Sequence, residues 1–332
     1  MKKIDLKKEM KYQVSVILLI MLLSSCWSED PSGPEYNTVP EHDRKYGIYS
    51  FEIESGAVEL IYSSDNSIHR IHENNSGSKI VFQEDFGNDT FQHSEICLIN
   101  PDGTGYQRLT DNSSLDAYPS WSPDGSRIVY LSWPDYPDNT LDIFIMNSDG
   151  SNPVELYDSG YHDADCCWMG SKIVFTRESQ IWLMDDNGTN AVQVTDFELA
   201  GQQGSADLPF GDYDPRIDPY GSVISFDRLI DDQNPSGNWD FYTINFDGTG
   251  ESALTETGWQ QFIAEWSHSG NQLLFTVASM NGEGVFDMYT MSPDGSNPVN
   301  ITPANWPAEF LCSHGIFSYN DTKIYFAGEW WE

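Results

Sequence analysis

The chain repeats two short segments six times each, and this repetition limits the fold more than any other feature of the sequence. The first segment is an apolar run that ends in a glycine turn, as in residues 96–103 and 143–150. Its six turn glycines lie 47, 47, 38, 60 and 47 residues apart: Gly56, Gly103, Gly150, Gly188, Gly248 and Gly295. That spacing suits one four-stranded blade of a β-propeller.

The second segment joins an aromatic residue, a polar turn and a β-branched strand, most clearly at residues 118–130. Five further copies occupy residues 75–82, 168–175, 219–226, 266–275 and 319–326. Asp-Gly turns allow a positive φ, and the flanking strands are apolar enough to need cover on both faces. A ring of blades supplies that cover and leaves only short edges. The sequence therefore predicts an all-β, six-bladed β-propeller.

Two of the turns carry a family resemblance. The Ser-Pro-Asp-Gly turn at 122–125, after Trp121, and the Asn-Pro-Asp-Gly turn at 100–103 resemble the TolB-type (WD40-like) β-propeller repeat. The resemblance covers residues 46–330, and the third, fourth and sixth copies depart from the full turn pattern. It implies the six-bladed fold and leaves the function open.

The two ends of the chain carry complementary halves of a blade. The chain begins with an outer hairpin at residues 46–62 and ends with an inner hairpin at residues 310–330. We expect these halves to share one closing blade, because such closure removes the last open sheet edge.

The N-terminus has the pattern of a secreted lipoprotein. Several lysines precede an apolar run at residues 14–23, which is too short for the roughly 20 residues of a membrane span. Leu23-Ser24-Ser25-Cys26 then resembles a bacterial lipobox. The predicted organisation is a signal peptide at 1–25, a flexible tether from lipidated Cys26 at 26–44, and the propeller at 45–332. This organisation predicts a lipid-anchored protein of the bacterial cell envelope, on the periplasmic face or outer surface of the outer membrane.

The charge balance limits the partners. The chain has 16 Lys and Arg against 52 Asp and Glu, a net charge of −36. The negative electrostatic field of such a chain argues against binding to nucleic acid, because phosphates need clustered basic side chains. It favours binding to cations or to basic partner surfaces. Many of the acids lie in turns, where Asp has a structural role.

Aligned inner strands place several polar side chains around one mouth of the channel. Asp116, Asp163 and Asp212 share one position. Two residues further along lie Arg70, Tyr118, Asp165, Asp214 and His314, and His162 lies close to Asp163 in the chain. Asp and His ligands suit a divalent cation such as Ca²⁺ or Mn²⁺. The alternative is a solvated, hydrogen-bonded rim, since no His-x-x-x-His spacing occurs.

Motifs for hydrolysis are missing, since the chain has neither Gly-x-Ser-x-Gly nor His-Glu-x-x-His. The leading hypothesis is a binding or scaffold module for an envelope protein or glycan. The alternative is a polysaccharide-processing enzyme, resembling a metal-dependent lyase, with its site at the channel mouth. Seven aromatic residues in or near loops are candidates for a recognition surface, and several of them are expected to pack between blades instead: Trp133, Tyr136, Trp239, Trp259, Trp306, Trp330 and Trp331. The remaining cysteines either form disulfides or fill the core: Cys97, Cys166, Cys167 and Cys312.

Overall fold

The computed structural model describes residues 44–86, 93–134, 139–203, 208–231, 238–257, 260–278, 286–303 and 311–331. These residues form six antiparallel four-stranded sheets and contain no α-helix, which confirms the predicted six-bladed β-propeller. Within these ranges no helix has the length and apolarity needed to cross a bilayer. The predicted signal peptide and Cys26 lie outside the described residues.

Each blade contributes four strands, numbered in chain order. The closing blade contains β1 (Arg44–Glu52), β2 (Val58–Ser64), β23 (Leu311–Phe317) and β24 (Lys323–Trp331). Blade 1 contains β3 (Ile68–Glu73), β4 (Ile80–Asp85), β5 (Ser94–Ile99) and β6 (Gln107–Arg108). Blade 2 contains β7 (Leu115–Trp121), β8 (Arg127–Trp133), β9 (Asp142–Asn147) and β10 (Val154–Tyr157).

The other three blades follow the same order. Blade 3 contains β11 (Asp163–Met169), β12 (Lys172–Arg177), β13 (Gln180–Asp185) and β14 (Val192–Gln193). Blade 4 contains β15 (Gly211–Ile217), β16 (Val223–Asp231), β17 (Asn238–Asn245) and β18 (Ser252–Ala253). Blade 5 contains β19 (Gln261–Trp266), β20 (Leu273–Ala278), β21 (Phe286–Met291) and β22 (Val299–Asn300).

The closing blade combines the two ends of the described chain, as predicted. Its strand order is β2-β1-β24-β23, so the first strand pairs with the last. The β1–β24 register runs without a break from Arg44 opposite Trp331 to Glu52 opposite Lys323. The hydrogen bonds of this ladder therefore hold the ring shut.

Apolar clusters fill all six interfaces between neighbouring blades. Between blades 1 and 2, for example, Val81 and Leu98 pack with Trp121 and Ile128 in one buried cluster. The remaining interfaces have equivalent clusters. Because each blade presents apolar residues to both neighbouring blades, no blade could bury its surface alone.

The repeated turn glycines have a packing reason as well as a conformational one. Gly150 has a φ of 83°, and a Cβ built on it would lie 2.8 Å from the carbonyl oxygen of Leu109 in the preceding blade. Gly248 repeats this arrangement, with its Cβ position 3.0 Å from the carbonyl oxygen of Val194. Five of the six turn glycines, all except Gly56, thus mark the contact of a blade with the one before it.

The propeller has two distinct faces. In each blade the turns between the first and second strands and between the third and fourth strands emerge on one side, which we call the turn face. The remaining connections, together with Arg44 and Trp331 at the ends of the ring, lie on the opposite side, the loop face.

Candidate functional site

Every innermost strand bends where its pairing with the second strand is interrupted. Five blades carry a non-glycine residue with positive φ at this point, which is typical of a β-bulge that redirects a side chain. These residues are Arg70 (49°), Tyr118 (54°), Asp165 (54°), Asp214 (48°) and Ile263 (52°). His314 follows the corresponding irregularity of β23. We call these six residues the inner ring.

The inner ring closes the channel with a charged network. Its members are at most 6% exposed. Arg70 Nη1 lies 3.0 Å from Asp214 Oδ1, which joins blade 1 to the opposite blade 4. Arg70 Nη2 donates to the Tyr118 hydroxyl at 2.9 Å. The predicted residues Arg70, Tyr118, Asp165 and Asp214 therefore do meet around the axis, but they lie inside the channel rather than on a solvated rim.

Carboxylates outnumber cations in this network. Asp227 of β16 joins the cluster and accepts a hydrogen bond from the backbone N–H of Ile263 at 2.8 Å. Burial, followed by the charge of Asp214, raises the pKa of Asp165 to about 7. The same two causes raise the pKa of Asp227 well above its usual range. Protonation of these acids relieves the repulsion that three buried carboxylates around Arg70 would create.

We expect the Asp165 carboxyl group to favour the folded state more near pH 5.5 than near pH 8. A buried acid with a raised pKa stabilises the fold fully below its unfolded pKa of about 4, and this contribution is lost as the pH rises through the folded value. For Asp165 that folded value is about 7. Thermal melting of the wild type and of Asp165→Asn measures this contribution, because the Tm of the variant relative to the wild type should rise from pH 5.5 to pH 8.

The Asp165→Asn variant is the control for this pH dependence. It should change the slope of the Tm profile between about pH 5.5 and 8, since the amide does not titrate, while Asp227 and Glu73, whose pKa values are also raised, keep their own contributions. The exposed Asp124, whose pKa is lowered to about 2 by hydrogen bonds from Ser122 and Ser126, titrates outside this window. Asp124→Asn should therefore leave the slope intact, and an unchanged slope in Asp165→Asn would contradict the assignment.

The other predicted aspartates belong to single blades. Asp163 accepts two hydrogen bonds from Arg177, at 2.7 and 3.2 Å, and Asp212 accepts two from Arg228, at 2.6 and 3.0 Å. Asp116 accepts from Ser132 at 2.5 Å. All three are fully buried opposite their partners in the adjacent strand, so they stabilise inner hairpins and do not reach the inner ring.

His162 lies apart from His314. Its Nδ1 accepts the backbone N–H of Leu141 at 3.0 Å, and its ring meets Trp133 edge-on, with centroids 4.7 Å apart. Burial lowers the pKa of His162 to about 4. Trp133 and Trp239 are buried, at 0% and 6% exposure, so they are packing residues rather than exposed recognition aromatics. They pack at the interfaces of blades 2, 3 and 4. The other candidates, Tyr136, Trp259 and Trp306 and the side chains of Trp330 and Trp331, lie outside the described part of the chain.

On the turn-face side of the inner ring the channel widens into a cavity of about 40 Å³, which has room for about three water molecules. We call it the turn-face cavity. Its polar lining comes from Arg70, His72, Tyr118, Ser120, Arg216, Glu265 and His314. The sequence offers His72 only as one of four candidate catalytic histidines, with His69, His162 and His314, and sequence reasoning missed Arg216 and Glu265. All three lining residues follow inner-ring positions by two residues, the period at which strand side chains share a face.

Glu265 organises the polar side of this cavity. Its Oε1 accepts from Arg216 Nε and lies 3.2 Å from His314 Nε2. Burial opposes ionisation of Glu265, but Arg216 and His314 outweigh it and lower its pKa. Burial lowers the pKa of His72 to about 4, and His72 Nδ1 accepts the backbone N–H of Trp121 at 3.0 Å. His72 is therefore neutral at pH 7 and carries its proton on Nε2.

The described residues contain no group of three or more His, Cys, Asp or Glu side chains arranged to hold a metal ion. The candidate Ca²⁺ or Mn²⁺ ligands therefore do not converge within this part of the chain. The four described cysteines, including the neighbours Cys166 and Cys167, are free thiols. Burial raises the pKa of Cys97, Cys166, Cys167 and Cys312, so all four fit the role of small core residues.

No protein-family profile matches the chain. An uncharacterised protein of Agrobacterium fabrum is 26% identical over 137 residues, which are 40% of this chain and 45% of that protein. The Tol-Pal system protein TolB of Roseobacter denitrificans is 34% identical over 56 residues, 17% of this chain and 13% of that protein. The matches thus span less than half of either curated relative.

Solved structures share the fold across most of the chain. A TolB-like protein of Agrobacterium tumefaciens superimposes with a TM-score of 0.63 at 13% identity, covering 87% of this chain and 99% of that one. TolB of Acinetobacter baumannii gives 0.59 at 16% identity, covering 78% and 64%. Oligogalacturonate lyase of Vibrio parahaemolyticus gives 0.51 at 11% identity, covering 85% and 96%. At these identities the likeness defines the fold alone.

Proposed function

We propose that this chain, which has the TolB-type six-bladed propeller fold, is a bacterial cell-envelope lipoprotein. Its propeller would be a binding or scaffold module. The observation that carries this proposal is the turn-face cavity, which places Arg216, His72 and Glu265 at an opening of an otherwise plugged channel. Small concave sites with a few convergent polar groups are typical of recognition. The ligand is a protein or a glycan of the envelope.

The two faces of the ring support a division of roles. The described chain enters the propeller at Arg44 and leaves it at Trp331, and these residues are paired on the loop face. A tether from Cys26 would therefore reach the ring from the loop face. The turn face, with the cavity, would then remain open to a ligand.

We expect Cys26→Ser to release the protein from membranes. The serine side chain has no thiol to acylate, so labelled palmitate should enter the wild-type chain and not the variant, and only the wild type should pellet with the envelope. Labelling of the variant, or an unacylated wild-type chain, would rule out the anchor.

The position of the binding surface can be tested with a photo-crosslinking amino acid in living cells. Tyr220, which is 74% exposed on the turn face, is the probe position, and Tyr161, which is 52% exposed on the loop face, is its matched control. We expect a specific adduct at position 220 and none at position 161. Adducts at position 161 alone would move the binding surface to the loop face.

The alternative is a polysaccharide-processing enzyme that resembles a metal-dependent lyase. It is supported by His72, His314 and Glu265, which border one cavity and include groups able to move a proton. The test incubates residues 27–332 with acidic polysaccharides, with and without Mn²⁺ or Ca²⁺, and measures unsaturated products. Cleavage that is lost in His72→Ala would favour the enzyme over the binding module.

A further inference from the structure

The turn-face cavity offers hydrogen-bond donors and acceptors side by side. Arg216 donates a hydrogen bond from Nε to Glu265 and another from Nη1 to the carbonyl oxygen of Pro215. Its Nη2 makes no hydrogen bond within the described residues. Oε1 of Glu265 interacts with both Arg216 and His314, whereas its Oε2 has no hydrogen-bond partner among the described residues. The pair therefore leaves one donor next to one acceptor on the cavity wall.

Two histidines border the same cavity. His72 has a proton on Nε2, because Nδ1 accepts the backbone N–H of Trp121. His314 shares Glu265 Oε1 through Nε2, and its Nδ1 is buried without a partner among the described residues. With Glu265 ionised, Nε2 of His314 is the donor and Nδ1 is left as an acceptor. Because Nδ1 of His314 is shielded from solvent, the polar groups of this set available to a ligand are His72 Nε2 and the Arg216–Glu265 pair.

The charges of the lining disfavour a charged occupant. An ammonium group in the cavity would meet Arg216 and Arg70, and a carboxylate would meet ionised Glu265. Either ion would also lose its hydration. An uncharged hydroxyl avoids both costs and, because it donates and accepts at once, satisfies both kinds of group. A cavity of about 40 Å³ admits such groups but not a whole ligand.

Exposed tyrosines lie on the turns that follow two of these strands. Tyr220 comes four residues after Arg216, and its hydroxyl donates to the carbonyl oxygen of Ser269, which holds the ring in place at 74% exposure. Tyr319 comes five residues after His314 and is 46% exposed. Tyrosine rings combine an apolar face with a polar end, which suits stacking against a sugar ring.

We propose that the turn-face cavity is a subsite for one sugar residue of an uncharged glycan. Adjacent hydroxyl groups of the sugar enter the cavity, where Arg216 donates to one and Glu265 accepts from the next, while the ring lies against Tyr220. This inference rests on the proposed binding function and names its ligand class. The net charge of −36 repels an anionic polysaccharide, so the site selects uncharged chains.

The experiment titrates residues 27–332 with maltohexaose, cellohexaose, xylohexaose, mannohexaose and chitohexaose by calorimetry, with hexagalacturonate as the anionic control. We expect at least one uncharged hexasaccharide to bind with a Kd below about 1 mM, and hexagalacturonate to bind at least about tenfold more weakly. Failure of all five uncharged oligosaccharides, or preference for hexagalacturonate, would overturn the inference.

Two sets of variants locate the binding. The double variant Arg216→Met with Glu265→Leu removes both charges together, a change that buried ion pairs often tolerate, and should weaken binding by more than about tenfold. Tyr220→Ala should weaken it by about three- to tenfold and Tyr161→Ala should leave it unchanged. Circular dichroism confirms that each variant is folded. Binding that survives the Tyr220 and double variants would place the sugar elsewhere and overturn the subsite.

The crosslinking test separates this inference from the proposed function. If no oligosaccharide binds but a protein adduct forms at position 220 and not at position 161, the glycan inference fails and the binding module stands with a protein ligand. If neither oligosaccharides nor adducts are found, both proposals fail.

Discussion

Replacing Arg70 by Ala is expected to destabilise the protein by about 3–5 kcal/mol, because it leaves buried carboxylates without their cation. Arg70 is 5% exposed and joins Asp214 and Tyr118, on two other blades, in the middle of the ring. Burial is the largest single effect on its pKa and lowers it, but the combined attraction of Asp214, Tyr118 and Asp165 outweighs burial and raises the pKa. Denaturant unfolding at pH 8 measures the loss.

The pH dependence of this variant distinguishes charge from packing. At about pH 5 Asp165 and Asp227 are protonated, so the destabilisation by Arg70→Ala should be smaller than at pH 8. Adding Asp214→Asn to Arg70→Ala should recover part of the stability, since it removes one unpaired carboxylate.

Arg127 supplies the matched control. It is exposed at the start of β8 and lies 4.8 Å above the ring of Trp168, so Arg127→Ala should cost less than about 1 kcal/mol. An effect of Arg70→Ala no larger than that of the control would mean that the inner ring does not depend on its ion pair.

Removing β1 and β2 is expected to abolish cooperative folding. The chain shortened to residues 65–332 loses the nine-residue ladder between β1 and β24 and leaves β24 with an open edge. It also loses Ile48 and Phe51, which are 0% and 5% exposed and pack at the two interfaces of the closing blade. Differential scanning calorimetry should then show no sharp transition, and gel filtration should show aggregation.

A chain that lacks only residues 27–43 is the control for this deletion. Because these residues are predicted to be a tether, their loss should leave the Tm unchanged within a few degrees. A cooperative transition near the wild-type Tm in residues 65–332 would show that the ring does not need its first two strands.

Local chemistry explains why the fold was predictable from the sequence. Gly150 and Gly248 recur because each blade repeats the same turn and the same contact with the blade before it. The closing blade was predictable because the outer and inner hairpins differ in pattern, so an outer hairpin at the start and an inner one at the end imply a shared sheet. Both signals are short-range and are repeated around the ring.

The position of the inner ring was also accessible, since Arg70, Tyr118, Asp165 and Asp214 align at one point of successive inner strands. The sequence did not indicate which residues these side chains would pair with. Arg70 pairs with Asp214 because blades 1 and 4 lie opposite each other, and no local pattern encodes which of several acids a cation meets across an axis. Asp163, two residues before Asp165, turns instead to Arg177 in its own blade.

The repeat of turns and apolar strands was enough to specify six blades, their order and their closure, because each blade must bury both of its faces against its neighbours. The turn-face cavity depended on the assembled ring. His72, Arg216 and Glu265 come from blades 1, 4 and 5, and they share a cavity only because the bulged inner strands converge on one axis. Such a distance relation between blades arises from closure and has no counterpart in the linear sequence.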